Sequence, residues 1–326
     1  MKILIMGTGG FILPSLDALL HSDHDICALI TMPLRVDEHS KRVSIPPVHL
    51  AARRYGILPY VPEDVNSEEG LEILDFFRPD LIFICDYGKI LSSELVQFAK
   101  YGGINLHGSI LPKYRGAAPI NRALLAGEEV LGVSVIQLDP KVDAGPILGA
   151  DSWNPSVQDT AVEIEQHLSE LGVPLVLKAI DDIEKNNIVP LEQDPALVCG
   201  APRLKKADGW IDWTKPSRYI INQYRALQPW PKVFSDWIPA SGKPPKRLIL
   251  GPFAESDIDL PAHLSNLPPG SVLSTSDGQI IVQTGDYPVE ILMVQSSGKN
   301  RITAGAFLRG NPLRVGDRFG RVESRP

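Results

Sequence analysis

The first half of the chain alternates short apolar runs with amphipathic stretches. The apolar runs have the length of buried strands, about 4–8 residues, and the stretches between them repeat apolar residues at the spacing of one helix face. Strands are expected at residues 3–6, 26–31, 58–61, 81–85, 104–107 and 133–138. Helices are expected near residues 13–20, 48–55, 71–77, 91–99 and 120–125. This alternation predicts an α/β fold with a parallel sheet covered by helices on both faces.

A long helix is expected over residues 160–185, although Gly172 and Pro174 should break or kink it. The helical period is lost after residue 186, and three prolines punctuate the stretch that follows: Pro190, Pro195 and Pro202. We therefore expect a first domain over residues 1–188, a linker over residues 189–207 and a second domain over residues 208–326.

The second domain has the pattern of an all-β fold. Its short β-rich runs, at residues 246–250, 270–273, 280–284 and 289–294, are separated by turns rich in Pro, Gly, Ser and Asp. This pattern predicts a small barrel or sandwich. The length of 326 residues also favours two domains, because single cores stop growing at about 250–300 residues.

Charge is distributed unevenly between the two halves. The chain carries a net charge of −7, but residues 1–202 hold 15 basic and 28 acidic residues, and residues 203–326 hold 17 and 11. Compositional drift is the simple explanation of this asymmetry. The alternative is that a basic domain holds a polyanion close to a site in the acidic one.

The cysteines and the apolar segments point to an ordinary cytoplasmic protein. Cys27 and Cys85 lie in apolar strand-like runs, which favours buried thiols. The three cysteines, with Cys199, are widely spaced without a CxxC pair, so disulfides and a zinc site are both poorly supported. The apolar run at residues 3–6 is too short for a signal peptide, and no stretch approaches the roughly 18 apolar residues of a membrane span. We expect a cytoplasmic protein with no membrane association and no metal.

Polar side chains follow two apolar strands in the first half of the chain. Asn105 and His107 alternate at the end of one strand and so point the same way, and Asp143 lies in the loop after the next strand. Open α/β sheets bind ligands at the carboxyl ends of their strands. Each residue alone has a structural explanation, since Asp favours turns in any case. Together they indicate a reactive site.

These two elements resemble the folate-dependent formyltransferases. The resemblance is carried by Asn105, by His107, by the loop Ser109-Ile110-Leu111-Pro112 and by Asp143. Further matches continue along the chain at residues 115–120, 203–206, 211–213, 229–231 and 269–272. The resemblance implies a Rossmann-like, mostly parallel sheet followed by a small OB-like β-barrel.

The resemblance also implies an activity. The donor would be 10-formyltetrahydrofolate, and the acceptor would be the α-amino group of methionine on initiator tRNA. Attack of an amine on a formyl carbon creates an oxyanion, which Asn105 and His107 could stabilise. Asp143 could orient and charge the histidine and relay the proton, either as a base or as an electrostatic partner.

Binding residues follow from the same resemblance. The folate would lie along Ser109, Ile110, Leu111 and Pro112, with its pterin near Tyr87, Gly88 and Ile90, although ordinary core packing explains Tyr87 equally well. The tRNA would meet Arg35, Lys41 and Arg42 in an inserted loop and Lys206 in the linker. We expect a monomer.

One departure and several alternatives bear on the acceptor. The insertion at residues 36–40 replaces a glycine-rich basic run and is less basic than the family pattern. Another formyltransferase, acting on glycinamide ribonucleotide or on a nucleotide-linked amino sugar, would share the same first domain. A non-catalytic sensor or RNA-binding module and a hydrolase of formyl-folate are alternatives of other classes.

Overall fold

The computed structural model describes residues 1–36, 43–257 and 267–322. The chain divides into two compact units, each built from several stretches of sequence. The N-terminal unit contains residues 1–120, 129–155 and 163–203, and the C-terminal unit contains residues 121–128, 156–162 and 204–326.

The described strands are β1 (Lys2–Gly7), β2 (Asp25–Ile30), β3 (Arg35–Val36), β4 (Val43–Ser44), β5 (Leu81–Cys85), β6 (Gly103–His107), β7 (Leu131–Gln137), β8 (Ile147–Trp153), β9 (Phe234–Ile238), β10 (Lys246–Leu250), β11 (Phe253–Glu255), β12 (Val272–Ser274), β13 (Ile281–Val282), β14 (Val289–Ile291), β15 (Met293–Ser296), β16 (Ile302–Thr303) and β17 (Arg318–Gly320). The described α-helices are α1 (Leu13–Leu20), α2 (Pro47–Arg54), α3 (Glu68–Phe77), α4 (Ser93–Val96), α5 (Pro119–Ala126), α6 (Ala161–Glu184), α7 (Ser217–Ala226) and α8 (Ala304–Gly310). Within these described ranges, no helix is both long enough and apolar enough to cross a bilayer.

A six-stranded sheet of order β2-β1-β5-β6-β7-β8 organises the N-terminal unit. The first four strands in that order pair in parallel, and β7 and β8 are antiparallel. Strand β5 is buried along its whole length, as expected for a central parallel strand covered on both faces. The predicted α/β fold with a mostly parallel sheet is therefore confirmed.

Of the two predicted effects of Gly172 and Pro174, a break is wrong, because α6 runs through Pro174 as one helix of 24 residues, and a kink stays a prediction. An interior proline costs about 3 kcal/mol. That cost is offset by a continuous apolar face, with Ile164 and Leu168 buried before the proline and Ile180 after it. Gly172 has its own role, because a Cβ atom there would overlap the side chain of Leu106 on β6.

The predicted strand at residues 58–61 is also wrong. The structure has only an isolated bridge there, between Ile30 and Tyr60. Pro59 and Pro62 lack the N–H groups that a strand ladder requires. Leu58 is 88% exposed, so this stretch also lacks the burial that would stabilise a strand.

The C-terminal unit contains two antiparallel sheets, of order β16-β15-β10-β9-β17 and β11-β14-β13-β12. The predicted run at residues 289–294 divides at Leu292, so that β14 belongs to one sheet and β15 to the other. Buried aromatic rings fill the core, and the indole N–H of Trp237 donates to Asp317 at 2.8 Å. The two antiparallel sheets agree with the predicted β-rich domain, and helices α7 and α8 belong to the same unit. Closure into an OB-like barrel stays a prediction.

Candidate active site

The structure brings the three predicted catalytic side chains together. The amide nitrogen of Asn105 lies 3.4 Å from Oδ1 of Asp143, and Nδ1 of His107 lies 3.5 Å from Oδ2 of the same carboxylate. Asn105 and His107 belong to β6, where residues two apart share a face of the sheet. The side chains of His107 and Asp143 are 6% and 14% exposed, so they interact with little screening by water.

Both ring nitrogens of His107 face acceptors. Nε2 lies 2.9 Å from the carbonyl oxygen of Tyr114, which can only accept, and Nδ1 faces the Asp143 carboxylate. Nε2 therefore donates to the Tyr114 carbonyl, and the Nδ1 edge of the ring faces the Asp143 carboxylate.

Local backbone geometry fixes the Asp143 carboxylate. Asp143 has a left-handed backbone with φ of +51°, a conformation that Asp tolerates better than most residues. Its Oδ2 accepts a hydrogen bond of 2.8 Å from the backbone N–H of Gly116. A hydrogen bond from an N–H to a carboxylate is among the stronger ones, so Gly116 helps to hold the Asp143 carboxylate in place.

The predicted folate loop is anchored by a buried serine on the neighbouring strand. Ser134 on β7 donates to the carbonyl of Ser109 at 2.8 Å and accepts the N–H of Leu111 at 3.1 Å. The peptide between Leu111 and Pro112 is cis. Leu111 is buried, whereas Ile110 is 36% exposed and offers apolar surface to a ligand.

A second predicted folate element leaves β5 at the same edge of the sheet. Tyr87 is 2% exposed and belongs to the core beneath the sheet, and burial raises its pKa to about 12. Gly88 is exposed, and Ile90 is 67% exposed. Asn66 holds this loop, donating to the carbonyl of Ile90 at 3.0 Å and accepting the N–H of Ser92 at 2.7 Å. The exposed backbone and the Ile90 side chain, rather than the Tyr87 ring, are available to a ligand.

Asp86 is a titratable residue at this edge that the sequence analysis missed. The residue is exposed overall, yet its carboxylate packs against Gly9, where a Cβ atom would collide with it. Burial of the carboxyl, with a smaller contribution from the negative charge of Glu165, raises the pKa of Asp86 to about 6.

Gln193 and Arg115 were also missed. The amide nitrogen of Gln193 donates to the backbone carbonyls of Asp143 and Gly145, and its oxygen accepts from the guanidinium of Arg115. No local pattern indicates these contacts, because Gln193 lies in a stretch with no helical or strand period. Only the match at residues 115–120 pointed to Arg115.

The structure describes the predicted tRNA-binding residues only in part. Arg35 belongs to β3, which pairs with β4 in a two-stranded ribbon. Lys41 and Arg42 lie outside the described residues. Lys206 is exposed at the start of a short 3₁₀ turn in the C-terminal unit.

Comparison with known families agrees with this geometry. Residues 1–180 match the formyl transferase family, and residues 203–312 match the formyl transferase C-terminal domain. The chain therefore belongs to the formyltransferase family, as its sequence motifs predicted.

Individual relatives extend over the whole chain. A methionyl-tRNA formyltransferase of Rhodopirellula baltica is 36% identical and covers 98% of this chain and 96% of its own. Another, from Halalkalibacterium halodurans, is 35% identical and covers 98% of each chain. Among solved structures, an N-formyltransferase from Helicobacter canadensis in complex with folinic acid and dTDP-3-aminofucose superposes with a TM-score of 0.60 at 20% identity, covering 89% of this chain and 98% of its own. At that identity the likeness concerns the fold alone.

Proposed function

We propose that this protein transfers the formyl group of 10-formyltetrahydrofolate to the α-amino group of methionine on initiator tRNA, acting as a monomer in the cytoplasm. Residues 1–188 would form the catalytic domain, residues 189–207 the linker, and residues 208–326 the tRNA-binding domain. The observation that carries the proposal is the convergence of Asn105 and His107 on the Asp143 carboxylate, within 3.4 and 3.5 Å. The full-length relatives named as methionyl-tRNA formyltransferases support the choice of acceptor.

Asn105 would stabilise the charge that develops during transfer. When the amine adds to the formyl carbon, the carbonyl oxygen becomes an oxyanion. One amide N–H of Asn105 is directed at Asp143, and the other would donate to that oxygen. Removal of one such donor typically lowers turnover by about 10²–10³-fold.

The imidazole and carboxylate would manage the protons. The acceptor nitrogen must lose a proton, and the folate nitrogen must gain one when its bond to the formyl carbon breaks. Nδ1 of His107 lies 3.5 Å from Oδ2 of Asp143, so this pair would take up a proton from the amine and return one to the folate nitrogen. A protonated ring would also favour the oxyanion.

Substitutions at the reacting centre test this chemistry. We expect Asn105→Ala and Asp143→Asn each to lower the single-turnover rate of formyl-methionyl-tRNA formation by at least about 100-fold. Asp139→Asn is a matched control, because this carboxylate lies in the same loop and contacts only the N–H of Lys141, at 2.8 Å, among the described residues. A near-normal rate in Asn105→Ala or in Asp143→Asn would reject the site assignment.

The acceptor is tested separately from the chemistry. The wild-type protein should form formyl-methionyl-tRNA from methionyl initiator tRNA and should formylate neither a dTDP-linked amino sugar nor glycinamide ribonucleotide. Release of free formate without formyl-methionine would instead identify a hydrolase. No turnover with any acceptor would favour a non-catalytic role.

The C-terminal unit offers a surface suited to RNA. Trp210 has the guanidinium of Arg247 at 4.4 Å from its ring centre and that of Arg321 at 5.4 Å. Trp210 is half-buried and Arg247 also pairs with Asp236 at 3.1 Å. Arginines beside an aromatic ring would combine attraction to phosphates with stacking on bases. Lys206 lies close to this tryptophan in sequence and is exposed.

Salt dependence tests the tRNA surface. We expect Lys206→Gln to raise the KM for methionyl-tRNA and to reduce the slope of log KM against log salt by about 1, with kcat unchanged. Lys178→Gln is the matched control, because Lys178 is 72% exposed on α6 and pairs with Asp182. Equal salt slopes in the two variants would remove Lys206 from the tRNA surface.

A further inference from the structure

One amide side chain ties together the two loops that surround the Asp143 carboxylate. Gln193 donates from Nε2 to the carbonyl oxygens of Asp143 at 2.8 Å and Gly145 at 2.7 Å. Its Oε1 accepts from both Nε and Nη2 of Arg115, at 3.0 and 2.7 Å. Both N–H groups and the oxygen of the amide are therefore used, and all of these residues belong to the N-terminal unit.

The loop on the Arg115 side carries the other supports of the reacting groups. The carbonyl of Tyr114 holds His107, and the N–H of Gly116 holds the Asp143 carboxylate. The backbone of Arg115 is paired with the segment that follows Gln193. The N–H of Arg115 donates to the carbonyl of Cys199 at 2.9 Å, and the carbonyl of Arg115 accepts from the N–H of Ala201 at 2.6 Å. The segment 193–201 thus binds this loop through both backbone and side chain.

The backbone of Asp143 needs an external support. Its φ of +51° is a conformation that costs free energy for any residue with a side chain, and it persists only where the surroundings hold it. Gln193 bonds the carbonyl of this strained residue and the carbonyl two residues later. An amide spanning these two positions fixes the direction in which the Asp143 side chain leaves the loop.

We propose that Gln193 is a positioning residue for formyl transfer, holding the Asp143 carboxylate against Asn105 and His107. This inference rests on the proposed function. Gln193 acts on the reaction through the carbonyls of Asp143 and Gly145 and through Arg115, without contact to either substrate. A misplacement of about 1 Å in a reacting group can cost about 100-fold in rate, so a loop support of this kind has a measurable effect on kcat.

Two variants separate the contacts of Gln193. Gln193→Met keeps the length of the side chain and removes every hydrogen bond. Gln193→Glu keeps an acceptor for Arg115 but places a carboxylate oxygen against the carbonyls of Asp143 and Gly145. We expect both to lower kcat by about 10–100-fold, with KM for methionyl-tRNA and for formyl-folate within about threefold of wild type. Glu192→Gln is the control, because Glu192 is the adjacent residue and is exposed.

The Asp143→Asn background distinguishes positioning from a general structural role. If Gln193 acts through the Asp143 carboxylate, Gln193→Met should lower the residual rate of Asp143→Asn by less than about twofold, because residues that act as a unit are not additive. Hydrogen exchange of peptides spanning residues 139–147 gives a readout independent of activity. It should be faster in both Gln193 variants and unchanged in Glu192→Gln.

Each outcome decides the matter. Three results would overturn the role of Gln193. The first is a wild-type kcat in Gln193→Met, and the second is the same fold-loss in rate when Gln193→Met is added to Asp143→Asn. The third is unchanged hydrogen exchange in residues 139–147. A loss confined to the KM for tRNA would also overturn it and would assign the residue to the tRNA surface. If the wild-type protein itself forms no formyl-methionyl-tRNA, the proposed function fails, and the role of Gln193 fails with it. An active wild type with an unaffected Gln193→Met leaves the function standing and removes only this residue.

Discussion

Gly116 is the position where the backbone of the active-site loop tolerates least change. Its φ is +126°, outside the range that side-chain-bearing residues adopt, and a Cβ atom there would lie 2.7 Å from the backbone oxygen of Ala201. Its N–H also donates to the Asp143 carboxylate. Gly116→Ala therefore combines backbone strain, a collision with an atom that cannot rotate away, and displacement of a catalytic support.

These contacts set the expected losses of unfolding free energy and of kcat. Backbone strain of this kind costs about 1–3 kcal/mol, and forcing atoms into a packed contact costs about 1–3 kcal/mol more. A loss of at least about 2 kcal/mol should lower Tm by about 4 °C or more in a unit of this size. Losing a hydrogen bond to a charged carboxylate, worth about 1.5–3 kcal/mol, corresponds to a fall in kcat of about 10–100-fold.

The assay compares Gly116→Ala with Gly200→Ala in the paired segment. A Cβ atom at Gly200 would meet nothing within 4 Å, and its φ is not in the left-handed region, so this variant should behave as wild type. Tm is measured by thermal unfolding and kcat by single-turnover formylation. Equal Tm and equal kcat in the two alanine variants would show that the Gly116 backbone is under no such constraint.

Two further predictions concern groups around the same sheet edge. The raised pKa of Asp86, about 6, means that the folded protein binds its proton more tightly than the unfolded chain, so the native state loses stability as pH rises from about 4 to about 6. Asp86→Asn should therefore have a higher Tm than wild type at pH 7.5 and an equal Tm near pH 4; an equal difference at both pH values would contradict the assignment. Ser134→Ala leaves a buried carbonyl and a buried N–H without their partner, a cost of about 1–3 kcal/mol for each, and should lower Tm and raise the KM for formyl-folate. Ser169→Ala removes only a hydrogen bond to Gln166 within α6 and should lower Tm by less. Equal losses of Tm in Ser134→Ala and Ser169→Ala would argue against a role of Ser134 in anchoring the loop 109–112.

Local patterns account for what could be predicted. Asn105 and His107 stand at the end of an apolar strand, where alternation alone fixes their common direction, and Asp143 was found through a motif. Gln193 could not be found in this way, because its partner Asp143 lies 50 residues earlier and the segment between has no period that predicts their approach. The uninterrupted helix through Pro174 shows the same limit, since burial by distant parts of the chain outweighed a local preference.

The C-terminal unit is assembled from three separated stretches of the polypeptide. Arg225 on α7 donates to the carbonyls of Ser156 and Asp159, both at 2.8 Å, and Asn121 donates to the carbonyl of Ala226 at 2.7 Å. A single cut near residue 203 would leave a carboxyl-terminal fragment without the two carbonyl acceptors of Arg225 and without Asn121. Because the stretches of the two units alternate along the chain, no single site of gene fission would separate the two units intact.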